Sequence, residues 1–321
     1  MIMNRTISGA VMSLVFLGAI LCGCAEMPSQ EVQVDRHQAI PAGAIKITPM
    51  TDTFPPVLHS VEFYPPVPLP EAVNTAGAED SPFITPDGET LYFFFTPDPG
   101  IAPEQQLLDR VTGIYVTHQM NGTLAPARRI LLQERGRLAL DGCPFVQMDT
   151  MWFCSAREGY TGVNLFTARQ QGEEWTDWQY SGDQLRDYKV GEVHLTTDGK
   201  ELFFHSLRSG GRGGLDLWVT RFENGVWQEP LNLAGVNTAG DEGWPFVTAD
   251  GGNLWFTRTY QGSPAVFRAI QTASGWGEPE LIVSTFAAEP TLDAEGNLYF
   301  AHHFFRNGTL VEADIYLARK K

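Results

Sequence analysis

One unit recurs five times along the chain, its aromatic landmark returns every 44 to 60 residues, and Asp-Gly turns part its first two strands in three copies. These observations predict an all-β protein, a five-bladed β-propeller whose blades are four-stranded sheets of about 40–50 residues each. The unit is an acidic residue, often a proline, a short strand, a tight turn and a strand carrying two adjacent aromatics. The first copy begins at Glu79 with Ser81-Pro82 and ends in Tyr92-Phe93. The second begins at Asp141 with Cys143-Pro144 and ends in Trp152-Phe153. The third runs from Glu192 to Phe203-Phe204, the fourth from Glu242 with Trp244-Pro245 to Trp255-Phe256, and the fifth from Glu289-Pro290 to Tyr299-Phe300. Adjacent aromatics suit a central strand buried on both faces between neighbouring blades. Asp87-Gly88, Asp198-Gly199 and Asp250-Gly251 supply residues that tolerate the positive φ of a tight hairpin.

A third strand recurs at Ile114-Tyr115, Leu165-Phe166, Leu217-Trp218, Val266-Phe267 and Ile315-Tyr316. A fourth is marked by Val226-Trp227 and Gly275-Trp276, and copy five ends without one. The segment Val61-Glu62-Phe63-Tyr64-Pro65-Pro66-Val67 is read as the missing strand. It would close the ring and remove two exposed edges. The propeller is placed at residues 55–321.

Residues 1–23 read as an export signal: Arg5, an apolar run over 7–20 that is short for a bilayer span, then Leu21-Cys22-Gly23-Cys24. That tetrapeptide resembles a bacterial lipobox. The resemblance implies lipidation of Cys24, membrane attachment through the lipid, and, with Ala25 next, a periplasmic protein on the outer membrane of a Gram-negative host (the cell membrane in a Gram-positive one). Residues 24–54 have no sustained period and read as a flexible tether. The net charge of −16 and the lack of a basic stripe argue against nucleic acid as a partner.

The block Ser206-Leu207-Arg208-Ser209-Gly210-Gly211-Arg212-Gly213-Gly214-Leu215-Asp216-Leu217-Trp218 resembles the TolB-type, WD-like propeller repeat, with Leu207 where that family usually has Asn. Ser155-Ala156-Arg157 and Asn237-Thr238-Ala239-Gly240-Asp241-Glu242 fit the same pattern. The resemblance covers roughly residues 60–319. It implies a propeller at the cell envelope that binds a ligand or protein, and it carries over no catalytic residue.

Propeller sites gather where innermost strands begin. Glu79, Asp141, Glu192, Glu242 and Glu289 all fall there, and His194 and Trp244 lie on innermost strands. Together they are the candidate ligand-binding residues of the channel mouth, for a cation, a sugar or a cationic group. The alternative reading has each carboxylate accept backbone N–H bonds or pair with Arg157, Arg208 or Arg258. Cys143 and Cys154 lie on the two strands of one hairpin and could form a disulfide in an oxidising compartment. His194, His205, His302 and His303 could meet at the channel mouth and bind a metal with Glu192 or Glu289, but no metal-ligand spacing supports this, so neither a metal nor a cofactor is expected. The loop over residues 210–214 lacks Gly-Lys-Ser/Thr and precedes a strand, so it reads as a tight turn rather than a phosphate cradle.

Two functions remain open from these residues. The first is a binding module, presumed monomeric in use, for an envelope protein or a small ligand such as a sugar. The second is a carbohydrate-active enzyme of furanosidase type, with Asp141, Glu192, Glu242 and Glu289 as acid and base.

Overall fold

The computed structural model describes residues 35–120, 122–134 and 136–321. Residues 1–23, read as an export signal, and Cys24 lie outside the described residues. Five antiparallel meanders follow one another among the described residues. The first comprises Ala78–Ile84, Thr90–Thr96 and Gly113–Met120 with short outer pieces Thr123–Leu124 and Arg128–Arg129. The second comprises Ala139–Gln147, Thr150–Arg157, Asn164–Gln171 and Glu174–Tyr180. The third comprises Val193–Leu195, Glu201–Ser206 and Asp216–Glu223, edged by Val226–Trp227 and Leu231–Asn232. The fourth comprises Glu242–Val247, Asn253–Tyr260, Ser263–Thr272 and Glu280–Ser284. The fifth comprises Ala287–Leu292, Leu298–Arg306 and Thr309–Ala318. The first strand of each meander packs on the first strand of the next, and that of the fifth packs back on the first, so the innermost strands form a ring. One parallel bridge, Ala313 to Ala78, stitches the fifth meander to the first.

The repeated aromatics explain the packing between sheets. Phe93, Phe153, Phe204, Phe256 and Phe300 are all fully buried. Each faces an aromatic on the third strand: Tyr115, Phe166, Trp218, Phe267 and Tyr316 in turn. Four of these pairs stack at 5.8–6.0 Å between centroids. A cation caps the pair in four meanders: Arg36 over Phe93 and Tyr115, Arg157 over Phe153 and Phe166, Arg208 over Trp218, and Arg258 over Phe256 and Phe267. His302 lies edge-on to Tyr316 in the fifth. The hairpin turns repeat as well: Thr85, Thr196 and Thr248 donate their hydroxyls to Asp87, Asp198 and Asp250 at 2.5–2.8 Å, ahead of Gly88, Gly199 and Gly251 at φ 70–73°.

The segment before the first meander departs from its sequence reading. Residues 35–54, read as tether, lie on the sheets in the structure. Arg36 is 4% exposed, Lys46 sits 2.6 Å from Glu312 and 2.5 Å from Asp314, and Asp52 meets His302 at 3.1 Å. These are separate polar anchors rather than a continuous apolar face, so they leave no hydrophobic period. Farther on, Val57–Leu58 adds to the outer strand of the fourth meander at Ser284 and Val283. Val67–Pro68 pairs with Leu317 and Tyr316 of the fifth, and Phe63 bridges Lys320. Pro65 and Pro66 donate no N–H, which keeps this addition from running as one long strand. One clause of the sequence reading thus gains a second part: the leading segment edges two meanders, not one.

Candidate functional site at the channel mouth

The site is built from an irregularity shared by the innermost strands. In four of them the register slips by one residue beside the proline: between Asp80 and Phe83, Gly142 and Phe145, Gly243 and Phe246, and Ala288 and Thr291. Proline cannot donate to the ladder, so pairing fails there and a bulge forms. The residue before each proline adopts positive φ: Ser81 (46°), Cys143 (56°), Trp244 (53°) and Glu289 (59°). The third meander has Val193 in place of proline, and Glu192 just before its strand takes the same position in the ring. These five side chains line a small open cup of about 40 Å³. Two positions on, Phe83, Phe145, His194 and Phe246 form its floor, in ring contact at 4.6–5.2 Å, with Thr291 closing the circle.

The polar groups in the cup are tied together. Glu192 accepts from Ser81 Oγ at 3.0 Å and also meets the Cys143 thiol and the Trp244 indole. Burial, with the charge of Asp80 adding, pushes Glu192 up to about 7 against the pull of those donors. The Ser81 N–H donates to Glu289 at 2.6 Å and to Asp80 at 2.9 Å. His303 Nε2 lies 3.3 Å from Asp80 Oδ1. Asp80 and Glu289 are in hydrogen-bond contact, which two carboxyls achieve only by sharing a proton. Glu289 holds that proton: burial and the charges of Asp80 and Glu192 push it well up. Burial also opposes the Asp80 charge, but His303, Glu289 and the Ser81 N–H together hold Asp80 below the usual carboxylate range. Among the described residues, no lysine or arginine pairs with Asp80, Glu192 or Glu289.

The seven candidate ligand residues divide. Glu192, His194, Trp244 and Glu289 line the cup. Glu79, Asp141 and Glu242 do not, and they correct the idea of five converging carboxylates. Glu79 is fully buried against Arg36 (3.2 Å) and Thr75 (2.7 Å to the hydroxyl). Asp141 is 2.7 Å from Arg157, and Glu242 is 3.1 Å from Arg258. Each carboxylate neutralises the guanidinium that caps its own meander. The separation follows the bulge: these acids stand two residues before the bulged position and point into the sheet packing. His194 is a floor residue rather than a ligand. Burial drives it down to about 3, and its Nδ1 accepts the Val247 N–H at 3.3 Å. Cys143 and Cys154 are free thiols in hydrogen-bond contact with each other, Cys143 in the cup and Cys154 buried behind it.

Asp80 and Ser81 escaped the sequence reading, which considered His303 only as one of several histidines that could meet Glu192 or Glu289 at the mouth. Asp80 carried a visible signal, since the positions matching it in the other bulged copies are Gly142, Gly243 and Ala288. The small residues there are forced by the neighbouring second strand: a Cβ on Gly142 would lie 3.2 Å from Phe94, and one on Gly243 would lie 3.1 Å from His205. An ionisable side chain at that position is out of pattern.

A ring of radiating meanders is a β-propeller. No protein-family model matches the chain, and no curated protein matches it. In fold it is similar to the endo-arabinase from Bacteroides thetaiotaomicron, at TM-score 0.50 and 14% identity over 79% of this chain and 96% of that one. It also resembles the alpha-L-arabinofuranosidase from Lactobacillus brevis (TM-score 0.49, 10% identity, 78% of this chain and 92% of that one) and TolB from Acinetobacter baumannii (TM-score 0.46, 15% identity, 78% of this chain). The chain spans about half the length of that TolB, 56%. At such identities the likeness is one of fold and assigns no activity.

Proposed function

We propose that the protein is a five-bladed propeller serving as a binding module, which takes a small polar ligand such as a sugar in its channel mouth. The observation that carries this reading is the ring of one side chain per meander. It sets hydrogen-bonding groups (Ser81, Glu192, Glu289) beside an aromatic (Trp244) above an apolar floor. That mixture suits hydroxyl groups on one edge of a ligand and C–H faces on the other. The five meanders and the N-terminal segment are read as five blades sealed by the leading chain. Lipidation at Cys24 would hold the module at the envelope membrane, in the periplasm if the host is Gram-negative, where an envelope protein is the alternative ligand.

The test is calorimetry with a panel of neutral and amino sugars on the full chain, alongside Trp244→Ala and Glu192→Gln. Binding by the parent and at least tenfold weakening in both variants is the expected result. Equal affinity in all three would overturn a ligand at the mouth.

A hydrolase acting on sugars is the second reading, favoured by Glu192. A carboxyl raised to about 7 is the protonation state a general acid needs. Against it, Asp80 and Glu289 touch, whereas catalytic carboxyls of glycosidases stand about 5–9.5 Å apart. Asp141 and Glu242, named with Glu192 and Glu289 as its acid and base, are bound to arginines instead. Release of reducing sugar from arabinan or aryl furanosides, lost in Glu192→Gln, would favour this reading over simple binding.

A further inference from the structure

We propose that Asp80, Glu289 and His303 form a site for a first-row divalent cation of the zinc class, on the seam between the fifth and first meanders. The three donor atoms come from three strands: Asp80 and Glu289 from the innermost strands of the two meanders, His303 from the second strand of the fifth. All lie within 4.8 Å of one another. An ion held at about 2.0–2.2 Å from each donor needs them at most about 4.3 Å apart, so a small inward shift completes the shell. The seam brings together what no spacing in the sequence announces, since Asp80 and Glu289 stand at opposite ends of the repeat array.

Several details point to an ion rather than to a structural cluster alone. The two carboxyls are pressed together with no lysine or arginine to answer them among the described residues. The acids that begin three other innermost strands, Glu79, Asp141 and Glu242, each hold an arginine. A divalent cation set between the two carboxylates would answer both charges at once. The Ser81 N–H donates to one oxygen of each carboxylate, fixing both as an outer-shell group fixes metal ligands. The imidazole presents Nε2 to the same point. A nitrogen with two carboxylate oxygens selects zinc or manganese over calcium and magnesium, which prefer all-oxygen shells. Glu289 also lines the cup, so a fourth ligand position would open toward whatever the cup holds. The site does not depend on the sugar-binding reading, because it is assayed with the metal alone.

The experiment strips the full chain with chelator and titrates zinc chloride by calorimetry, with metal content read by mass spectrometry after dialysis. One equivalent is expected to bind, at least tenfold more weakly in Asp80→Asn, Glu289→Gln and His303→Ala. His303→Ala, which leaves both carboxyls in place, covers the case in which a carboxyl variant fails to fold, and circular dichroism reports folding for each. Cys143→Ala with Cys154→Ala guards against zinc held by the thiols, and this double variant should bind like the parent. Failure to bind one equivalent, binding untouched in the folded variants of the triad, or binding lost only with the cysteines would each overturn the site. Failure to bind sugar while zinc still binds would leave it standing.

Discussion

Arg36 reaches 43 residues along the chain to set its guanidinium 3.2 Å from the Glu79 carboxylate and over the rings of Phe93, Phe95 and Tyr115. The second, third and fourth meanders draw the equivalent cation from their own second strand or within two residues of its end: Arg157, Arg208 and Arg258. The first has Thr96-Pro97-Asp98 there and borrows its arginine from the leading segment. Removing one partner of a buried pair leaves the other charge unanswered, at a cost of about 3–5 kcal/mol. Arg36→Ala should therefore lower the urea midpoint by that equivalent. Arg36→Met with Glu79→Gln should recover most of the loss. Full stability in Arg36→Ala would mean the segment is not docked in solution.

Acid should unfold the protein through its buried histidines. Burial drives His194 down to about 3 and His205 to about 4. A histidine in the unfolded chain titrates near 6.5, so between that value and the folded one the unfolded state binds more protons. Their contribution is thus complete above about pH 6.5 and is lost as pH falls toward 3–4, at up to about 1.4 kcal/mol per pH unit for each histidine. Glu192, raised to about 7, gains stability over the same fall in pH, so the histidine share is read by difference: relative to the parent, His194→Gln, which keeps an acceptor for the Val247 N–H, should gain in denaturation midpoint as pH falls from 7 to 5.

The two thiols should be slow to react in the native protein. Contact with Cys154, burial and the neighbouring Glu192 all push the Cys143 thiol up, which disfavours the nucleophilic thiolate. Iodoacetamide at pH 8 is expected to label both cysteines quickly in urea and far more slowly without it. A mass two units low, with no labelling after denaturation, would show a disulfide instead.

Gly213 is fixed by a close approach between neighbouring meanders. A Cβ there would lie 2.0 Å from the carbonyl oxygen of Gly240, on the loop that leads into the fourth innermost strand. The Gly214 N–H donates to that same carbonyl at 3.2 Å, and the Leu215 N–H to Asp241 at 2.8 Å. Gly213→Ala must part the two loops, and overpacking of this kind costs about 1–3 kcal/mol. Gly210→Ala makes a useful comparison: its φ of 93° makes it strained too, but at a position where the nearest added contact is 3.8 Å away. A thermal shift seen only for Gly210→Ala would contradict the loop contact.

The repeat was legible because its landmarks are local. Paired aromatics, Asp-Gly turns and the proline of the innermost strand each act within about ten residues, and each occupies equivalent places in successive meanders. The site was legible in half. Glu192, Trp244 and Glu289 belong to the repeat and could be placed by it. Asp80 and His303 could not, because they meet across a seam joining the two ends of the array. Glu79, Asp141 and Glu242 looked like site residues because the sequence shows that an acid precedes the strand. Which way it points depends on a register slip two residues later. Residues 35–54 were opaque for a related reason: Arg36, Lys46 and Asp52 bind partners 43, more than 260 and 250 residues away.

Val67 pairs with Leu317, about 250 residues later in the chain, and contacts of such separation form late in folding. The strand that leaves the ribosome early therefore waits for one of the last to emerge. Until then Phe63 lacks its bridge to Lys320 and Val67 its strand partner. A nascent chain stalled near residue 310 would present an apolar gap and an unpaired backbone edge, the surfaces that holding chaperones take up. The last strand, Thr309–Ala318, must be made before the ring can shut on Val67–Pro68.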